Sequence, residues 1–76
     1  MNPDLTQLLV TDLELDPRAL LPHTRLDDAG LDSLALVELG MLLTTRWGVT
    51  ITDDELAATK TLGALDHLVT QRRADR

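Results

Sequence analysis

Seventy-six residues are enough for one small domain, spanning 1–76, which buries only about 60% of the surface its unfolded chain exposes. Thirty-three residues are apolar, 18 of them Leu, with no Phe or Tyr and a single Trp, so the expected core is aliphatic and suits helices better than a β-sandwich or barrel. The absence of Cys, two distant His and a net charge of −6 argue against disulfides, thiolate chemistry, a zinc site and nucleic-acid binding.

The charge is uneven. Residues 1–57 hold 11 acids and 3 bases, whereas residues 58–76 hold 4 bases and 2 acids. An acidic body of net −8 steers basic partners toward itself, although small domains also carry such charge for solubility alone. No apolar run has the length of a membrane span. The N-terminus lacks the basic start and apolar run of a signal peptide. The sequence therefore predicts a cytoplasmic protein with no membrane partner.

Asn2 is placed to cap a first helix that has Pro3 and Asp4 in its first turn. Leu5, Leu8, Leu9 and Leu13 follow at helical spacing, and Asp16-Pro17 stops the helix because the residue before Pro is pushed out of the helical region. Residues 16–31 form a long connection broken by Pro17, Pro22 and Gly30. Leu20, Leu21, Leu26 and Leu31 are expected to anchor it to the core, which argues against disorder.

Asp32 caps a second helix that runs to about Trp47, where Gly48 is a natural stop. Val49-Thr50-Ile51 is extended. Thr52 then caps a short third helix, with Thr52-x-x-Glu55 as a capping box and Asp53, Asp54 and Glu55 in its first turn. Thr59 or Thr61 opens a last helix striped by Leu62, Leu65, Leu68 and Val69, which frays into Gln71-Arg72-Arg73. The fold class is all-α: helix, long loop, helix, short helix, helix.

The second helix carries two apolar faces. At about 100° per residue, Leu36, Leu39, Leu43 and Trp47 gather on one side as the core face. Leu34, Val37 and Met41 gather on another side, next to Ser33 and bordered by Glu38 and Thr45. One apolar face is all that a surface helix needs. The second is either covered by the loop or the short helix, or is a protein-binding patch with a polar rim.

Ser33 stands at the start of that helix. A self-contained hydrolase would need a base beside it and a Gly-x-Ser-x-Gly elbow, and the sequence has neither. What the position offers is a hydroxyl at a positive helix terminus, which favours an attached phosphate. Asp27-Asp28-Ala29-Gly30-Leu31-Asp32 lacks the alternating ligands and closing Glu of a calcium loop. His23 is expected at the surface or in packing, and His67 at the surface.

Asp32-Ser33-Leu34 followed by Val37-Glu38-Leu39 resembles the signature of acyl carrier proteins. The resemblance extends from Leu26-x-x-x-Gly30-Leu31 through Trp47-Gly48-Val49 and Ile51-x-Asp53-Asp54-Glu55-Leu56 to Thr61-Leu62-Gly63-Ala64-Leu65. It implies a stand-alone, monomeric carrier folded as a right-handed four-helix bundle, three longer helices and one short, with a long loop after the first. It implies 4′-phosphopantetheine esterified to Ser33, within the Asp32-Ser33-Leu34 motif, by a phosphopantetheinyl transferase. The arm's thiol then holds acyl groups as thioesters, so a Cys-free chain borrows its sulfur from a cofactor. The carrier is not itself an enzyme. Acyltransferase, ketosynthase or acyl- or aminoacyl-activating ligase partners would dock on Leu34, Val37, Glu38 and Met41.

Thr44, Thr45 and Arg46 stand where fatty-acid carriers usually have acids, Trp47 where Phe is typical and Thr52 where Pro is common. These departures favour specialised biosynthesis, such as polyketide assembly, over housekeeping fatty-acid synthesis. Two alternatives are a peptidyl or aminoacyl carrier of a nonribosomal peptide pathway, and a helical interaction module without a prosthetic group. Ala29-Gly30-Leu31-Asp32 looks more acyl-type than peptidyl-type, and a plain interaction module leaves the Asp-Ser-Leu context unexplained.

Overall fold

The computed structural model describes residues 1–74. Four α-helices follow in order: α1 Pro3–Thr11, α2 Ser33–Trp47, α3 Asp53–Ala57 and α4 Leu62–Ala74. Among the described residues there is no strand, only an isolated antiparallel bridge between Arg25 and Thr61. The architecture is the expected all-helical bundle of three longer helices and one short one. Its core is aliphatic throughout, with Leu5, Leu9, Leu39, Leu43, Leu56, Leu62, Leu65 and Val69 fully buried.

The helix starts follow the capping chemistry. Asn2 Oδ1 accepts the Asp4 N–H at 2.9 Å, and Thr52 Oγ1 accepts the Glu55 N–H at 3.1 Å. Of the two candidates for the last cap, Thr61 is the one used: its hydroxyl accepts the Ala64 N–H at 3.2 Å. Gly48 closes α2 in a left-handed conformation.

Four sequence expectations need correction. The first helix ends at Thr11 rather than at Asp16-Pro17. Glu14 adopts a left-handed backbone (φ 58°), and the chain turns back so that the Leu15 N–H donates to Leu9 O at 3.1 Å. Leu13 still packs against the core, but from the connection rather than from a helical turn. Leu21 is exposed, so Leu20, Leu26 and Leu31 anchor the loop without it. Trp47 is only half-buried, and the Arg73 guanidinium lies 4.0 Å over its ring.

The last correction concerns the C-terminal helix, which stays regular through Arg72 and Arg73. Arg72 forms an ion pair with Glu55 and donates to Thr50 O at 3.0 Å. Arg73 pairs with Asp4 at 3.4 Å. The hydrogen bond from Arg72 holds the Glu55 carboxyl below the usual carboxylate range. These partners lie on other elements, so the helix end is tied rather than frayed.

The long loop is sewn to the start of α4. Leu62 N–H donates to Thr24 O at 2.9 Å and Gly63 N–H to Pro22 O at 2.8 Å, so loop carbonyls satisfy donors that a helix start leaves orphaned. Leu26 N–H returns the link to Lys60 O at 2.9 Å. Only glycine suits position 63, because a Cβ there would sit 2.9 Å from Pro22 O. Burying Leu26 and Leu31 adds roughly 2 kcal/mol each toward holding the loop. The segment that leads into Ser33 is thus fixed at both its side chains and its backbone.

Candidate functional site

Asp32 takes the cap of α2: its Oδ1 accepts the Ala35 N–H at 2.8 Å, and its carbonyl accepts the Leu36 N–H at 3.0 Å. That division of labour leaves the next residue spare. Ser33 is the first residue of α2, is exposed, and its hydroxyl makes no hydrogen bond with any described residue. The backbone N–H groups of Ser33 and Leu34 likewise find no acceptor among the described residues. An exposed hydroxyl therefore stands beside two free donors at the positive end of a 15-residue helix. A phosphodiester on Ser33 Oγ would meet those donors, so the local chemistry fits an attached phosphate.

The second apolar face of α2 is open. Leu34 is 71% exposed, Met41 66% and Val37 40%, so neither the loop nor α3 covers them. Glu38 is exposed beside them. The core face is sharply distinct: Leu36, Leu39 and Leu43 are all buried. The sequence-nominated residues Asp32, Ser33, Leu34, Val37, Glu38 and Met41 thus share the N-terminal part of one helix and all reach solvent.

Two grooves flank this stretch. One runs between α2 and the start of α3, lined by Val37, Gly40, Met41, Thr44, Thr45, Ile51 and Asp53. Gly40 lies at mid-helix, where glycine costs about 1 kcal/mol relative to Ala. No close packing demands it, since the nearest atom to an added Cβ would be Leu56 Cδ1 at an ordinary 3.5 Å. The other groove holds Ser33 itself, with Leu26, Leu31, Leu36 and Ala57 as apolar lining, Arg25 and Lys60 as cations and Asp27 and Asp32 as anions. Sequence reasoning missed this second groove. The backbone link between residues 22–26 and 60–63 helps to place Lys60 on the same groove as Ser33, and nothing in the local sequence signals that link.

Comparison with known proteins agrees with the geometry. The family described as "Phosphopantetheine attachment site" matches residues 3–69. An acyl carrier protein MbtL from Mycolicibacterium paratuberculosis is 38% identical over 66 residues, covering 86% of this chain and 74% of the relative. The chain belongs to the acyl carrier protein family. Similar proteins of the same name occur in Mycobacterium sp., 36% identical with 82% of this chain and 71% of the relative covered, and in Mycobacterium bovis, 33% identical with 99% and 90% covered. No solved structure gives a significant match.

Membership settles the class of function. The protein is a carrier rather than an enzyme, and its family holds 4′-phosphopantetheine covalently. When bound, that group supplies the thiol on which cargo rides as a thioester. Carriers of this family are loaded by a phosphopantetheinyl transferase and work with biosynthetic enzymes. No helix among the described residues is long and apolar enough to cross a membrane.

Proposed function

We propose that Ser33 is the residue that carries the arm, and that Leu34, Val37, Glu38 and Met41 form the face that partner enzymes meet. One observation carries this reading. Asp32 caps α2, so the hydroxyl next to it is exposed and unpartnered where two backbone N–H groups can receive a phosphate. Loading from coenzyme A forms a bond between Ser33 Oγ and the arm's phosphorus and breaks the pyrophosphate linkage. The nucleotide half leaves, and the hydroxyl proton passes to the transferase.

The partner face follows from exposure. Three large apolar side chains in solvent beside the attachment point weaken the fold's economy and favour a protein contact. Glu38 adds a charge whose main effect is on encounter with a basic partner. Thr44, Thr45 and Arg46 keep the rest of the helix free of acid, so the contact is chiefly apolar. This fits a dedicated partner set, such as an acyltransferase, a ketosynthase or an acyl-activating ligase in a specialised biosynthetic pathway of the cytoplasm. The test is intact mass after incubation with coenzyme A and a broad-specificity phosphopantetheinyl transferase. Wild type should gain one phosphopantetheinyl group and Ser33→Ala none, with the same circular dichroism spectrum.

A further inference from the structure

Lys60 is the chain's single lysine. It is exposed, and its ammonium has no partner among the described residues. Its backbone is unusual: φ is 63°, a left-handed conformation that favours glycine and strains a residue with a long side chain. The conformation is held from outside. Leu26 N–H donates to Lys60 O at 2.9 Å, and the adjoining Thr61 bridges to Arg25. A glycine would satisfy the same turn without strain, so the turn alone does not explain the lysine.

Its surroundings supply an explanation. Lys60 lines the groove of about 320 Å³ that also contains Ser33. The second cation there, Arg25, is already engaged by Asp27 at 3.4 Å. Asp32 is committed to capping α2. That leaves Lys60 as the one cation of the groove without an ion-pair partner among the described residues; Asp27 and Asp32 also line the groove, and the rest of its lining is the apolar set Leu26, Leu31, Leu36 and Ala57. A ligand suited to this site has an anionic head near Ser33 and apolar segments along a slender body. The phosphopantetheine arm has that chemistry, and its tether begins in the groove.

We propose that Lys60 holds the arm's phosphodiester and berths the arm in this groove, a role that rests on the reading of Ser33 as its attachment point. The berth shares no lining residue with the groove beside Val37 and Met41. The arm can therefore rest on the loop side of α2 while the partner face stays clear. Lys60 is a positioning residue here. Its grip is electrostatic and exposed, so it weakens as salt screens it.

The experiment compares amide spectra of ¹⁵N-labelled apo and loaded protein, with loading checked by intact mass. The variants are Lys60→Gln, Lys60→Arg and Lys60→Gly, the last relieving the backbone strain while removing the charge. In wild type and Lys60→Arg, loading should shift the amides of residues 25–27 and 57–60 as well as those of 32–36. In Lys60→Gln and Lys60→Gly the shifts at 25–27 and 57–60 should fall by about twofold, the size expected of losing one exposed charge pair. High salt should reduce them similarly in wild type. Shifts confined to 32–36 in loaded wild type, or shifts at 57–60 unchanged by Lys60→Gln, would overturn the role of Lys60 while leaving Ser33 in place. No gain of mass in any form would overturn both.

Discussion

The two ends of the bundle solve opposite problems. Where α4 finishes, charge is tied down across elements: Arg72 to Glu55 and Thr50, and Arg73 to Asp4 and the face of Trp47. Where α2 begins, side chains are left over. The Ser33 hydroxyl and the Lys60 ammonium have no partners among the described residues, and Leu34, Val37 and Met41 stand in water. A domain this small has little stability to spare. Three of its four large exposed apolar side chains lie on the helix that Ser33 begins, while the opposite end is held by ion pairs and a stacked cation. The lesson is that leftover chemistry in a small fold marks the place where another molecule completes it.

The largest expected effect comes from damaging the open end. Val37→Asp and Met41→Asp should each lower kcat/KM for loading by a phosphopantetheinyl transferase by about tenfold, since central apolar contacts dominate interface energy. Circular dichroism should stay unchanged, because both positions are already exposed. Glu38→Arg should act less strongly, through the encounter rate, and its effect should fade as salt rises. Asp4→Asn, on α1 away from the patch, serves as the control. A loss from Asp4→Asn as large as that from Glu38→Arg would show that overall negative charge, not the patch, guides docking.

Damage to the tied end should do the reverse. Arg73→Ala removes the cation over Trp47 and the pair with Asp4, two exposed interactions worth together about 1 kcal/mol. Tm should fall by about 4–8 °C for a domain of this size, with loading kinetics unaltered. A variant that loaded poorly yet melted normally would erase the contrast between the two ends.

Much of this division is legible in the sequence, because its signals are local. Asp32 and Gly48 bracket α2 within one residue, and the wheel separates Leu36, Leu39 and Leu43 from Leu34, Val37 and Met41. Ser33 stands out through its immediate neighbours. What escapes is set by distant contacts. Leu13 keeps helical spacing although the chain has already left the helix, because spacing cannot register the reversal at Glu14. Arg72 and Arg73 look like a fraying end because Glu55 and Asp4 lie 17 and 69 residues away in sequence. Lys60 carries no local sign of a left-handed turn or of a groove shared with Ser33, since both depend on backbone links to the long loop.

The smallest expected effect sharpens the comparison from inside the open end. Gly40→Ala should raise stability by about 1 kcal/mol, because the helix loses its mid-span glycine and the new methyl group meets only ordinary contacts. Thermal unfolding measures it directly. A fall in Tm would mean that Gly40 is demanded by packing, and that the groove beside Val37 and Met41 is a by-product of the core.

The central claim is that the hydroxyl left unpartnered by the Asp32 cap is the point at which the cofactor is attached. Intact-mass spectrometry of wild type and Ser33→Ala, each coexpressed with a broad-specificity phosphopantetheinyl transferase, tests it most directly. Wild type should carry a single phosphopantetheinyl group, and folded Ser33→Ala should carry none. A Ser33→Ala protein that gains the full group, or a wild type that stays unmodified while a known carrier is loaded under the same conditions, would contradict it.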